Sequence, residues 1–186
     1  MARVDFKDEV TGGDSQAEGS DNRLNVSSRS DSRIYYNARD EGQCYTLVFD
    51  HPLAAAGQYS AYLKNTSTDK TLVVSHVGIN ADDLAKFKLW FVTGTAANGV
   101  ANIPANTNKA SPNDASVTAL EDGGGTAISG LTTDGLIDVV SLVANGHEEF
   151  RLNDAIRLGQ NDAIAIEADV VTSTPECFGV IFFFFE

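Results

Sequence analysis

A chain of 186 residues is long enough for one well-buried domain with irregular sequence to spare. It carries 26 acids against 13 bases, a formal net charge of −13. That balance argues against DNA or RNA as the main partner, because phosphate binding needs clustered Lys and Arg; it favours a cationic or mixed partner surface. Residues 1–10 have charges but no apolar core, so no secretory signal is expected. No apolar run approaches the roughly 20 residues that span a bilayer, and a product folded in the cytoplasm without membrane contact is expected. The two cysteines, Cys44 and Cys177, are expected as buried thiols acting as small hydrophobes; sequence leaves open whether they approach each other.

Residues 1–32 are rich in Gly, Ser, Asp and Asn, and the stretch 11–21 cannot bury enough surface to offset its ordering entropy. An extended N-terminal arm is therefore expected over residues 1–44. Its last quarter differs in composition: Arg33, Ile34, Tyr35, Tyr36 and Arg39 form a mixture suited to docking on another surface. Six of the thirteen bases lie before residue 45, which makes the arm the place for contact with a more acidic neighbour.

From Tyr45 onward, short β-prone runs alternate with turn residues. Runs are predicted at 45–49, 58–63, 71–79, 86–92, 100–103, 116–120, 136–143, 147–152, 162–169 and 178–185. The fourth begins with clean alternation, Lys86 and Lys88 on one face against Phe87 and Leu89 on the other. Asn98-Gly99 and Asn145-Gly146 have the chemistry of tight hairpins. Residues 80–86 allow one capped helical turn and no more. Many short antiparallel strands at this spacing predict an all-β sandwich, jelly-roll-like, over residues 45–186.

The final run, with Phe182, Phe183, Phe184 and Phe185 in succession, lacks a polar face. Either both faces of that strand are covered within the chain, by the rest of the sandwich or by its own loops or arm, or another subunit covers the outer one. The second option predicts that these four rings form a subunit interface, in an oligomer expected to be a trimer.

Catalytic signatures are missing. His51, His76 and His147 are scattered; His76, inside an apolar run, reads as a satisfied core histidine and His147 as a solvated one. No paired-Cys spacing, no His-Glu-x-x-His and no phosphate-cradling glycine loop occurs. The Asn153-Asp154 and Asn161-Asp162 pairs are oxygen-rich but lack a full calcium loop. Neither a cofactor nor a metal site is assigned, and no enzyme activity is expected. Tyr35, Tyr36, Tyr59, Tyr62 and Trp90 are the aromatics that could stack on sugar rings, although Trp90 reads more simply as core.

Residues 57–67, 73–79, 89–99, 102–104 and 106–109, with the aromatic end at 181–186, resemble small virion proteins of tailed phages. Among these are jelly-roll capsid decoration (cement) proteins, which sit as trimers on the shell and tie neighbouring major capsid subunits together. The resemblance covers residues 45–186 and implies a fold more than an activity; the arm carries no motif to transfer. It implies a virion structural protein on the capsid surface, with the major capsid protein as partner and the arm grasping the shell. A tail or spike-base component, or a carbohydrate-binding sandwich, are the alternatives.

Overall fold

A computed structural model of the protein describes residues 5–7, 14–16, 18–20, 23–25, 36–53, 56–123, 127–152, 156–171 and 175–186. The chain divides into two units, Met1–Ser32 and Arg33–Glu186. In the first, strand β1 (Asp5–Lys7) pairs antiparallel with β2 (Asp14–Gln16), and β3 (Glu18–Ser20) with β4 (Arg23–Asn25). Each ladder is three residues long, a size that is marginal in water by itself.

The second unit opens with a wide helical turn, Asn37–Glu41, which ends at Gly42 with φ 59°. Only glycine suits this position, because a Cβ would overlap the Ser111 side chain and the backbone is left-handed. The Gly42 carbonyl accepts hydrogen bonds from Asn106 Nδ2 (2.8 Å) and Ser111 Oγ (3.2 Å), and the Glu41 carbonyl accepts one from Asn113 Nδ2 (3.1 Å). The asparagine-rich stretch 104–114 thus clamps residues 41–42 to the larger unit. Residues 36–43, the end of the arm expected over 1–44, therefore lie within the larger unit, Arg33–Glu186.

The strands that follow are β5 (Cys44–Pro52), β6 (Gln58–Asn65), β7 (Leu72–Ala81), β8 (Ala85–Ala97), β9 (Val100–Ala101), β10 (Ala105–Asn106), β11 (Val117–Glu121), β12 (Ser129–Leu142), β13 (Gly146–Phe150), β14 (Ile156–Leu158), β15 (Ala163–Val171) and β16 (Glu176–Phe185). They form two antiparallel sheets. The first runs β10-β5-β16-β7-β13, with β14 also on β7; the second runs β12-β8-β15-β6-β11-β9. The fold is an all-β sandwich.

Between the sheets lies one apolar core. Tyr45, Leu47 and Phe49 of β5, Ile181, Phe183 and Phe185 of β16, and Leu72, Val74, Val77 and Ile79 of β7 meet Ala61, Leu63, Phe87, Leu89, Ile164 and Ile166 of the second sheet. The alternation of Lys86, Phe87, Lys88 and Leu89 places the two apolar side chains inward and both lysines outward, where they bind Asp169. Hydrogen bonds from Lys88 and then Lys86 hold the Asp169 carboxyl below its usual range, and the same contact raises Lys88.

Three local expectations are corrected. Asn98 and Gly99 do turn the chain, with φ of 61° and 76°, but β9 pairs with β11 and not with β8. Asn145 also has a positive φ, 57°, yet the strands beside it belong to different sheets, β12 in the second and β13 in the first. Turn chemistry fixes the reversal, while core burial decides which partner each flank takes. Residues 82–84 form a bend between β7 and β8 and not a helical turn; the Leu84 N–H donates to Asp83 Oδ1 at 2.7 Å.

Gly179 is required by close approach. A Cβ there would run into the Phe49 ring and lie 2.7 Å from the Gly78 carbonyl oxygen. We expect Gly179→Ala to cost about 1–3 kcal/mol, the range for overpacking a dense core, as read from the urea midpoint; an unchanged midpoint would show that Phe49 can move aside.

Candidate binding face

The phenylalanine run alternates after all. Phe183 and Phe185 point into the core, with Phe183 stacked on Tyr45 (centroids 5.5 Å apart, planes at 22°) and edge-on to Phe185. Phe184 points the other way and is also fully buried, covered by Cys44, Val73 and Ala38 of the helical turn. Phe182 is half-buried beside His76. The expected subunit interface at Phe182, Phe183, Phe184 and Phe185 is therefore corrected: three of the four rings are buried inside a single chain. The strand sits in the middle of its sheet, between β5 and β7, and both faces are apolar because both are covered there.

Where that cover ends, the outer face of the first sheet opens. Register defines three rows across it. Thr46, Phe182 and His76 form one; Val48, Val180, Gly78 and Glu149 the next; Asp50, Phe178, Asn80 and His147 the third. Val48 is 60% exposed and Phe178 47%, and Val180 is half-buried between them. Sequence reasoning missed both Val48 and Phe178.

A bulge at Ser75 carries His76 to this outer side, since Phe182 pairs with His76 and Phe183 with Val74. His76 is therefore not a core histidine. Its Nε2 lies 3.7 Å from Glu149 Oε1, and His147 Nε2 lies 3.6 Å from the same oxygen. The other nitrogen of His147, Nδ1, is 2.9 Å from Asn80 Oδ1. Gly78 leaves room for both rings: a Cβ would sit 3.3 Å from each.

The expected docking residues of the arm fall differently. Arg33, Ile34 and Tyr35 lie outside the described residues, and of Arg39 only the backbone, in the helical turn, is described. Tyr36 is half-buried and its hydroxyl donates to Glu41 Oε1 at 2.9 Å. Among the sugar-stacking candidates, Tyr62 is buried, while Tyr59 and Trp90 are half-buried on the outer side of the second sheet. Trp90 Nε1 donates to Glu167 at 2.6 Å, so the indole is held by its own sheet. Asn153 and Asp154 lie outside the described residues, and Asp162 Oδ2 accepts the Gly159 N–H.

One pair has the residue types of a nucleophile and its base. Cys177 and His51 are register partners on β16 and β5, and both side chains are buried on the core side. Burial pushes the Cys177 thiol up to about 12, with the Ser60 hydroxyl opposing the shift and the Asp50 charge adding to it. A thiol held protonated in the core is an inert small hydrophobe. Cys44 pairs with Phe184 at the other end of the same strand and on the other face. Seven residues of strand, ~23 Å, separate the two positions, far beyond disulfide reach; both are free thiols.

Among the described residues, no group of three or more His, Cys, Asp or Glu is placed to hold a metal ion. No described helix is long and apolar enough to cross a membrane. A surface recess of about 350 Å³ is lined by Tyr45, Asp69, Lys70, Asn113 and Asp114 among others, and is mostly polar. Comparison of the chain with known families, curated proteins and solved structures finds no match in any of the three.

Proposed function

We propose that this chain is a virion structural protein of a tailed bacteriophage, a capsid decoration protein that binds the outside of the head and stabilises it by bridging major capsid subunits. The observation that carries the reading is the open outer face of the first sheet, where Val48 and Phe178 stand exposed beside Asp50, Glu149 and Glu176. Apolar side chains ringed by charge suit a protein contact, and an open sheet face suits a shell better than it suits a small substrate. Strand order supports the same reading. Taking β5, β6, β7, β8, β12, β13, β15 and β16 as eight successive strands, the first sheet reads first-eighth-third-sixth and the second, from β6 to β12, reads second-seventh-fourth-fifth, the interleaving of a jelly roll.

A homotrimer belongs to this proposal but cannot use the buried phenylalanines. Its contacts fall instead to the second sheet, where the edge strand β12 exposes Leu136 and Val139. Three register shifts interrupt β12 along its pairing with β8, which blunts strand-to-strand addition and favours side-chain packing there. The first unit supplies a second shell contact in this scheme.

Co-sedimentation with purified heads and, separately, with isolated tails tests the proposal. We expect saturable binding to heads alone, and weaker binding once residues 1–32 are removed. Binding to tails alone would move the protein to the tail or spike base; binding to neither would overturn the virion reading.

A further inference from the structure

The partner's chemistry follows from the charges around the open face, an inference that rests on the binding role proposed above. Strands β5, β7, β13 and β16 contain no Lys or Arg, and on the outer face they carry Asp50, Glu149 and Glu176, all exposed. The one Lys or Arg on this sheet's described strands is Arg157 of β14, which is bound to Glu186 at 2.8 Å, and the imidazoles of His76 and His147 stand on the face beside Glu149. Through this acidic field runs an apolar stripe along β16: Phe178, Val180 and Phe182, flanked by Val48. Its next outward residue, Phe184, is already covered by the helical turn through Ala38, so polypeptide packs naturally across these strands.

We infer that the face docks a cationic protein surface that sets aliphatic side chains between Lys or Arg. The aliphatic groups would bury Val48 and Phe178, and the bases would meet Asp50 and Glu176. Apolar burial supplies the affinity and the charges set approach and register. A second copy of this chain is a poor occupant, because a two-fold contact through this face brings the same acids toward one another.

The test is a ¹⁵N–¹H NMR titration of the full chain with three synthetic peptides, alternating Arg-Val, Glu-Val and Arg-Ser. Arg-Val should shift amides of residues 46–50, 78–80 and 176–182, and its dissociation constant should rise roughly tenfold between about 50 and about 300 mM salt. Val48→Ser and Phe178→Ser should each weaken it about tenfold or more, and Asp50→Lys with Glu176→Lys should do the same. Equal binding of Glu-Val, shifts confined to other residues, or no binding would overturn the inference. So would a wild-type dimer that Val48→Ser dissociates, which would identify a second copy as the occupant. Head binding that survives all these substitutions would remove this face and leave the decoration role standing. Arg-Val binding here by a chain that ignores heads would do the reverse.

Discussion

Replacing Phe183 by Ala should cost about 3–5 kcal/mol, the range for deleting a large aromatic from a packed core. The ring is fully buried in one chain, stacked on Tyr45 and edge-on to Phe185, so removing it opens a cavity that the strands on either side of β16 cannot collapse into. Such a loss is a large share of the 5–15 kcal/mol that holds a typical domain together. Phe182→Ala, at a half-buried position, should cost roughly 1 kcal/mol. Urea unfolding followed at two protein concentrations checks both numbers. If the run were a subunit interface, the wild-type midpoint would move with concentration and the two substitutions would cost similar amounts. Burial within one chain predicts a concentration-independent contribution from Phe183 and a clear gap between the two variants.

Stability should fall steeply in alkali, and Cys177 should be a main cause. The folded chain holds this thiol protonated up to about 12, against an ordinary value of 9.0. A group whose folded value is raised contributes its full stabilisation below the unfolded value and loses it as pH climbs toward the folded one. The window therefore runs from about pH 9 to about pH 12, with ~2 kcal/mol lost by pH 10.5 and ~4 kcal/mol by pH 12. Burial also raises Cys44, Tyr45, Tyr59 and Tyr62, which act in the same direction. Cys177→Ala should flatten the decline between pH 9 and 10.5 without abolishing it. Identical pH profiles for wild type and variant would mean that the thiol already reaches solvent.

The strands were legible where one face was apolar and the other was not. Lys86 to Leu89 alternate cleanly, and the inward and outward sides follow directly from that period. The same rule failed on β16, because Phe183 and Phe185 face the core while Phe182 and Phe184 face outward, and a period of two disappears when both faces are aromatic. Strand β12 begins at Ser129, seven residues before the apolar run that starts at Leu136. Its first half, with Thr132, Thr133 and glycines at 130 and 135, has too little apolar signal to mark a strand, and pairing with β8 supplies what composition does not. The candidate face was hidden for a related reason. Val48 and Phe178 look like any strand hydrophobics, and only the packing of β16 between β5 and β7 shows which side of each remains open. His76 moved from expected core to outer face through a one-residue bulge, a feature that apolar neighbours on both sides conceal.

An electron cryomicroscopy reconstruction of heads incubated with the full chain tests the decoration role most directly. We expect added density on the outer shell, oriented so that the face bearing Val48 and Phe178 meets a basic surface of the major capsid protein. Density in which that face points to solvent, or heads that remain bare at saturating protein, would contradict it.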